Sequence, residues 1–365
     1  MKSYEKLARQ TILNIKPYIP GKPIEEVERE LGISNVVKMA SNENPLGPSP
    51  KAIEAMQQMA AKAQLYPDGN SFYLKTALAN KLGISTDNLI IGNGSDEIIK
   101  FLTEAFLNPG EEILTGSPSF SEYIFAAKVM DGKAISVDLK DYTFDLEKMA
   151  EAITPKTKLI FICNPNNPTG TINTKAELDA FMAKVPEDVI VVFDEAYVEY
   201  ADSPDFPDTL EYVKAGRKAI VLRTFSKIHG LAGLRVGYGI ASPEFLAVLN
   251  RVREPFNVNL LGQAAAIASL QDDNHIAESK RINNEGKKYL YKEFARMGLK
   301  YVPTQANFIF LDVKKDSKEV FQAMLKKGVI IRTGDIFGLP THIRVTIGKP
   351  EENERFIKTL EEVLK

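Results

Sequence analysis

A mainly parallel α/β sheet flanked by helices, joined to a smaller α+β unit, is the architecture that this 365-residue sequence predicts. The first observation is a recurrence of short apolar runs between residues 88 and 241: NLIIG (88–92), EEILTG (111–116), KLIFICN (158–164), VIVVFDE (189–195), AIVLRTF (219–225) and RVGYGIA (235–241). Runs apolar throughout, rather than alternating, belong to strands covered on both faces. Between them lie segments with helical spacing, such as SDEIIKFLTEAF (95–106) and AELDAFMAKV (176–185), and this alternation is what crossover helices on a parallel sheet produce. The second observation is a change of pattern after residue 242. A helix, a break at Pro255, a second helix and a long helical stretch to about 297 are followed by ANFIFLDV (306–313), a helix near 317–327, VIIRTGD (329–335), HIRVTIG (342–348) and a charged final helix. Connections of hairpin length there predict an α+β unit. The third is length, which exceeds what one minimal core needs. The expected division is a large unit over 46–255 and a smaller one made of 256–365 with 1–45, whose proline-rich N-terminal arm is too short to fold alone.

Composition narrows the chemistry. With 44% hydrophobic residues, 26% charged residues and a net charge of -2, the chain has no field that would gather nucleic acid or anionic lipid. Its single cysteine, Cys163, has no partner for an internal disulfide, which fits a reducing compartment, so a cytoplasmic location is expected. The N-terminus MKSYEKLARQTILNIKPYIP interrupts its apolar positions with charges, unlike a signal peptide, and no run is long and apolar enough to span a membrane. Three histidines, none at metal-ligand spacing, predict no metal. Small molecules and a second copy of the chain are the expected partners.

Four motifs converge on the carboxyl edge of the predicted sheet, where ligands of such sheets bind. LIIGNGSDEIIKFL (89–102) sets a glycine-rich turn between a strand and a helix, so Gly92, Gly94 and Ser95 would aim unpaired N–H groups and the positive helix end at an anion; the plainer alternative is a turn capped by Ser95 or Asp96. CNPNNPTG (163–170) places Asn167 in a loop stiffened by two X-Pro steps, from which its amide can donate to an oxygen. VVFDEAYVEY (191–200) ends a buried strand on Asp194, a carboxylate that needs a cation or several donors, with Tyr197 three residues on. TFSKIHGLAGLRVGY (224–238) brings Thr224, Ser226 and Lys227 to the same edge, with Arg235 opening the next strand. Two hydroxyls and an arginine suit a phosphate monoester, and a shielded lysine beside another cation would present the neutral amine that carbonyl chemistry requires. Pyridoxal phosphate uses all four: a phosphate for the turn, hydroxyls and Arg235, a ring nitrogen for Asp194, an O3′ for Asn167 and Tyr197, and an aldehyde for Lys227.

NPNNPTG, DEAY (194–197) and an SK followed eight residues later by Arg235 occur in the order found in the fold type I pyridoxal phosphate-dependent aminotransferases of the aspartate aminotransferase superfamily, which the chain resembles. KPYIPGKP (16–23), ASNENPLGPSP (40–50), YPDG (66–69) and GNGSDE (92–97) extend the likeness along nearly the whole chain. The resemblance implies that Lys227 bonds the cofactor and moves the substrate proton, and that Asp194 keeps the ring nitrogen protonated. It places Ser95, Asp96, Thr224, Ser226 and Arg235 at the phosphate, and Phe120 on the ring face, where the usual occupant is tyrosine. Tyr66 would reach the phosphate of the other subunit, which implies a homodimer with shared active sites. Arg344 would fork onto the substrate α-carboxylate, with Tyr18, Asn42 and Arg332 nearby. The implied reaction moves an amino group between histidinol phosphate and 2-oxoglutarate, giving imidazole acetol phosphate and glutamate, in histidine biosynthesis. Alternatives are an aromatic amino acid aminotransferase, a phosphothreonine decarboxylase, or a non-catalytic aminotransferase-like domain of a regulator. For His229, two residues after Lys227, a structural role is expected, because the lysine itself is placed to act as base.

Overall fold

The structure, a computed structural model, describes residues 3–15, 17 and 21–365. A short first strand, β1 (Val37–Lys38), precedes the large sheet, which is built from β2 (Leu89–Gly92), β3 (Glu112–Ser117), β4 (Lys133–Asp138), β5 (Thr157–Cys163), β6 (Ile190–Asp194), β7 (Ala219–Thr224) and β8 (Gly237–Ile240). Across the sheet the order is β2-β8-β7-β6-β5-β3-β4. All neighbours from β4 to β7 pair parallel, and β8 runs antiparallel to both β7 and β2. Each of the six apolar runs forms one of these strands. The seventh, β4, escaped because it is an edge strand whose residues are half-buried or exposed in turn, so KAISVD lacks the continuous apolar run of a two-sided strand.

Burial explains why the central strands hold. Ile160, Val191, Val192, Phe193 and Val221 are fully buried, and each such side chain contributes about 1.5–3 kcal/mol relative to exposure. Helix Ser95–Phe106 covers them with Ile98, Ile99, Phe101 and Leu102. Register brings Cys163 opposite Asp194 and Asp194 opposite Leu222, so β5, β6 and β7 end together at one edge. Helix Leu260–Leu270, expected in the smaller unit, instead packs Ala265, Ala266 and Leu270 into this large core, against helix Pro50–Ala60; its small residues permit the close approach.

A second sheet is formed by β9 (Lys300–Val302), β10 (Phe308–Asp312), β12 (Arg332–Thr333) and β13 (His342–Thr346), all antiparallel, while β11 (Val329–Ile330) pairs parallel with β1. Strand periodicity divides its residues: Ile309, Leu311, Ile343 and Val345 face a core with Phe294, Met324 and Phe356, while Phe308, Phe310, Arg344 and Thr346 point to the other face. Helix Ile24–Leu31 and the segment after it dock beside this sheet, Val27, Val36 and Ala40 packing on Leu325 and Ile330.

Gly237 opens β8 directly beneath the turn that begins helix Ser95–Phe106. A Cβ there would collide with the backbone nitrogen of Ser95 and stand 2.6 Å from the carbonyl carbon of Gly94. Gly237→Ala is therefore expected to destabilise the protein by about 2 kcal/mol or more, read as a lower urea midpoint at unchanged slope. Gly233→Ala, which meets nothing within 4 Å, is the control and should change stability by under about 0.5 kcal/mol.

Candidate active site

Between the carboxyl ends of β5, β6 and β7 and the β10–β13 face of the smaller sheet lies a cleft of about 660 Å³. Ser95, Asp96, Phe120, Asn167, Asp194, Tyr197, Thr224, Ser226, Lys227 and Arg235 line it from one side, Asn42, Arg332 and Arg344 from the other. Tyr18 lies outside the described residues. Tyr66 is not in the cleft: it is 82% exposed and stacks on Phe256 at 4.9 Å between ring centres, so this chain does not supply it to its own site.

One end of the cleft is built for an anion. Gly94, with φ of 83°, is the N-cap of helix Ser95–Phe106, so Ser95 and Asp96 are its first residues rather than its cap. Their N–H groups belong to the unpaired, positive end of the helix. The guanidinium of Arg235 lies across the turn, 2.5 Å from where a Cβ on Gly94 would stand, and the left-handed φ of 83° there favours glycine. Arg235 donates to Asp96 Oδ2 at 2.8 Å and to Ser226 Oγ at 3.3 Å. Thr224 Oγ1 donates to Ser226 Oγ at 3.0 Å and accepts from the Ser226 N–H at 3.1 Å. Backbone donors, two hydroxyls and one guanidinium thus converge where a phosphate would sit.

In the middle, Lys227 Nζ donates to the Ser41 carbonyl at 3.3 Å and lies 5.6 Å from the centre of the Tyr197 ring. Burial, helped by the charge of Arg344, pushes its pKa down to about 8, so the neutral amine is accessible near physiological pH. Asp194 is 2% exposed, and burial pushes its carboxyl up to about 6. It forms no ion pair among the described residues; Tyr123 donates to Oδ2 at 2.6 Å and the Ala196 N–H to Oδ1 at 3.2 Å. Its charge is therefore left for a cation from outside the protein. Tyr197, buried and with its pKa raised by that burial, accepts from Asn42 Nδ2 at 2.9 Å.

At the opposite wall Arg344 Nη1 donates to Asn167 Oδ1 and Nη2 to the Ala40 carbonyl at 2.7 Å, with the guanidinium packed over the rings of Phe308 and Phe337. With Oδ1 engaged, the amide N–H groups of Asn167 are the half that can serve an oxygen in the cleft. Arg332 is the cross-strand partner of Arg344, so two cations share this wall. His229 lies outside the cleft lining, buried, its Nδ1 2.6 Å from Ser269 Oγ and its pKa lowered to about 3 by burial, so it stays neutral. The residue that sequence reasoning missed is Tyr123. Its signal was the second aromatic in SFSEY, three places after Phe120, but only tertiary packing points it at Asp194.

The fold and this site define a class, and the comparison agrees: a family model described as aminotransferase class I and II matches residues 34–360, and the chain belongs to that family. Among curated relatives, a histidinol-phosphate aminotransferase of Moorella thermoacetica is 61% identical over 98% of this chain and 92% of its own. The crystal structure of histidinol-phosphate aminotransferase from Sinorhizobium meliloti in complex with pyridoxal-5'-phosphate superposes with a TM-score of 0.90 at 28% identity, covering 97% of this chain and 96% of that one. L-threonine-O-3-phosphate decarboxylase from Porphyromonas gingivalis, with a TM-score of 0.80 at 24% identity over 90% of this chain and 99% of its own, shares the fold.

The buried charge of Asp194 has a pH signature. Its folded value of about 6 lies above the ordinary 3.8, so the folded, cofactor-free protein keeps a proton that the unfolded chain releases. Relative stability is complete below the unfolded value and is lost as pH rises through the folded one, a difference of roughly 3 kcal/mol. Asp194→Asn should accordingly stabilise the cofactor-free protein by up to about 3 kcal/mol at pH 8 and hardly at all at pH 4. Urea unfolding at the two pH values checks it; equal gains at both would remove the buried charge as the cause.

Proposed function

We propose that this chain is a pyridoxal phosphate-dependent aminotransferase that moves an amino group between histidinol phosphate and 2-oxoglutarate, or from glutamate to imidazole acetol phosphate in the biosynthetic direction. The observation that carries this reading is a lysine of lowered basicity set between two anion sites, the helix end with Arg235 on one side and Arg332 with Arg344 on the other. A cofactor phosphate and an anionic substrate are the two ligands such a cleft takes, and the 61% identical relative bears the corresponding name.

The donor set fits the cofactor: an unpaired buried carboxylate for its ring nitrogen, Asn167 and Tyr197 for O3′, Phe120 for its ring face, and Ser95, Asp96, Thr224, Ser226 and Arg235 at its phosphate. Bound pyridoxal phosphate supplies an electron sink that makes the Cα–H of the amino substrate acidic. Lys227 would hold the cofactor, and its Nζ, when free, would accept the Cα proton of the amino substrate. Asp194 keeps its negative charge against the ring nitrogen, so the proton there stays in place. Arg344 forks onto the α-carboxylate of glutamate or 2-oxoglutarate, while Arg332, Asn42 and Tyr18 orient the rest of the substrate.

The same reading makes the enzyme a cytoplasmic homodimer that binds no nucleic acid, in which Tyr66 serves the partner's cofactor phosphate; its exposure, with that of Phe72 and Tyr73, supports this. No helix among the described residues is long and apolar enough to cross a membrane. It also divides the chain into a large cofactor-binding unit and a smaller unit that includes the N-terminal arm, with the join after helix Leu260–Leu270 rather than at 255, because that helix belongs to the large core.

The decisive comparison offers histidinol phosphate, phenylalanine and phosphothreonine separately, with 2-oxoglutarate, and follows glutamate and carbon dioxide. Glutamate formed with histidinol phosphate is expected. Turnover of phenylalanine alone would instead establish an aromatic aminotransferase, and carbon dioxide from phosphothreonine a decarboxylase. For the lysine, Lys227→Ala should remove the borohydride-fixed lysine adduct and reduce turnover by on the order of 10³-fold or more. A persistent adduct elsewhere would refute the assignment.

A further inference from the structure

We propose that Tyr123 is a positioning residue for the reaction: its phenol O–H, donated to Oδ2 of Asp194, holds that carboxylate as an anion and fixes its orientation toward the cleft. This rests on the reading that Asp194 faces the cofactor ring nitrogen. Tyr123 sits in the first turn of helix Glu122–Val129 and is 0% exposed. Its ring stacks on Phe161 at 4.5 Å with the planes 13° apart, and meets Phe120 edge-on at 5.6 Å. Held from two sides, the phenol donates to Asp194 Oδ2, 2.6 Å away, with the Cys163 thiol also beside it. That length is typical of a hydrogen bond to a charged oxygen, about twice as strong as its neutral counterpart.

The surroundings of Asp194 otherwise oppose its charge. The ionisable groups that bear on it are Asp96 on the same wall of the cleft and Glu195 next in the chain, both acidic, with the Cys163 thiol beside it on β5. Burial acts in the same direction. Among the described residues Tyr123 and the N–H of Ala196 stabilise the anion, and of the two the phenol is closer. Without it the carboxyl would keep its proton to higher pH and be held by the Ala196 N–H alone, so the ring nitrogen would meet a partner that is neutral over a wider pH range and less firmly oriented. Phe120, just before the helix, and Tyr123, in its first turn, thus divide two tasks: one covers the cofactor face, the other supports the aspartate beneath it.

Tyr123→Phe keeps the ring and removes the donor. In the full-length chain freed of cofactor, carrying ¹³Cγ-labelled aspartate and with the Asp194 signal assigned by its loss in Asp194→Asn, the variant should raise the carboxyl midpoint by about one unit or more. Relative to the parent, pyridoxal phosphate should then bind about tenfold more weakly at pH 5, below both midpoints, and nearly equally at pH 8, since one unit corresponds to a tenfold change in the ionised fraction only where the carboxyl is mostly protonated. A midpoint unchanged within about 0.3 units overturns the proposal. Should the phenylalanine variant not fold, 3-fluorotyrosine at position 123 gives a more acidic donor of nearly the same shape and should lower the midpoint; no movement there overturns the proposal equally. The underlying reading fails separately, if Asp194→Asn binds pyridoxal phosphate as tightly as the parent, whatever the carboxyl titration shows.

Discussion

A carboxylate buried at the end of the central strand, with no cation among the described residues to neutralise it, is the constraint to which the rest of the site answers. Asp194 stands where β6 stops, between β5 and β7, in a position closed to water. An unpaired charge in such a place costs several kcal/mol, and among the described residues no arginine or lysine pairs with it to offset that cost. Below its raised midpoint of about 6 a proton removes the deficit; above it a cationic ligand would, and the protonated ring nitrogen proposed for the cofactor is one such ligand.

The neighbouring lysine shows the same logic with opposite sign. Lys227 is shielded by the cleft walls and repelled by Arg344, so its proton is held loosely and its amine is ready to bond a carbonyl carbon. At the phosphate end the balance is gentler. Asp96 and Arg235 form an ion pair with side chains 43% and 40% exposed, worth no more than about 1 kcal/mol in water, so a dianion can displace the carboxylate easily. The cleft therefore combines a tightly constrained middle with an adaptable anchor, and Arg235 on the one side and Arg332 and Arg344 on the other come from different sheets, so under the proposed reading one end can be tuned without disturbing the other.

Much of this was legible in the sequence because it is local. Continuous apolar runs identified six of the seven strands of the large sheet, and the strand-turn-helix at 89–102 announced an anion site before any contact was known. Lys227, Thr224 and Ser226 are brought together by two residues of chain, and Arg235 by one tight connection. Edge strand β4 was invisible because half of its surface faces outward, which erases the two-sided signal. Helix Leu260–Leu270 adjoins the smaller unit along the chain, whereas its small residues fit it to helix Pro50–Ala60 in the large one. Which sheet a helix covers depends on shape complementarity, and periodicity carries no such information.

By itself the sequence determined the fold class, the strand ends that carry chemistry and the residue types able to hold a phosphate, a ring nitrogen and an aldehyde, because each depends on spacing along a short stretch of chain. Only the tertiary structure decided what each group meets. Register sets Cys163 beside Asp194, the second sheet carries Arg344 to Asn167 across 177 residues, packing against Phe161 turns Tyr123 to the aspartate, and Tyr66 is left outside its own cleft. These are contacts between elements far apart in sequence, and their geometry is settled by how buried surfaces fit, which no local pattern records.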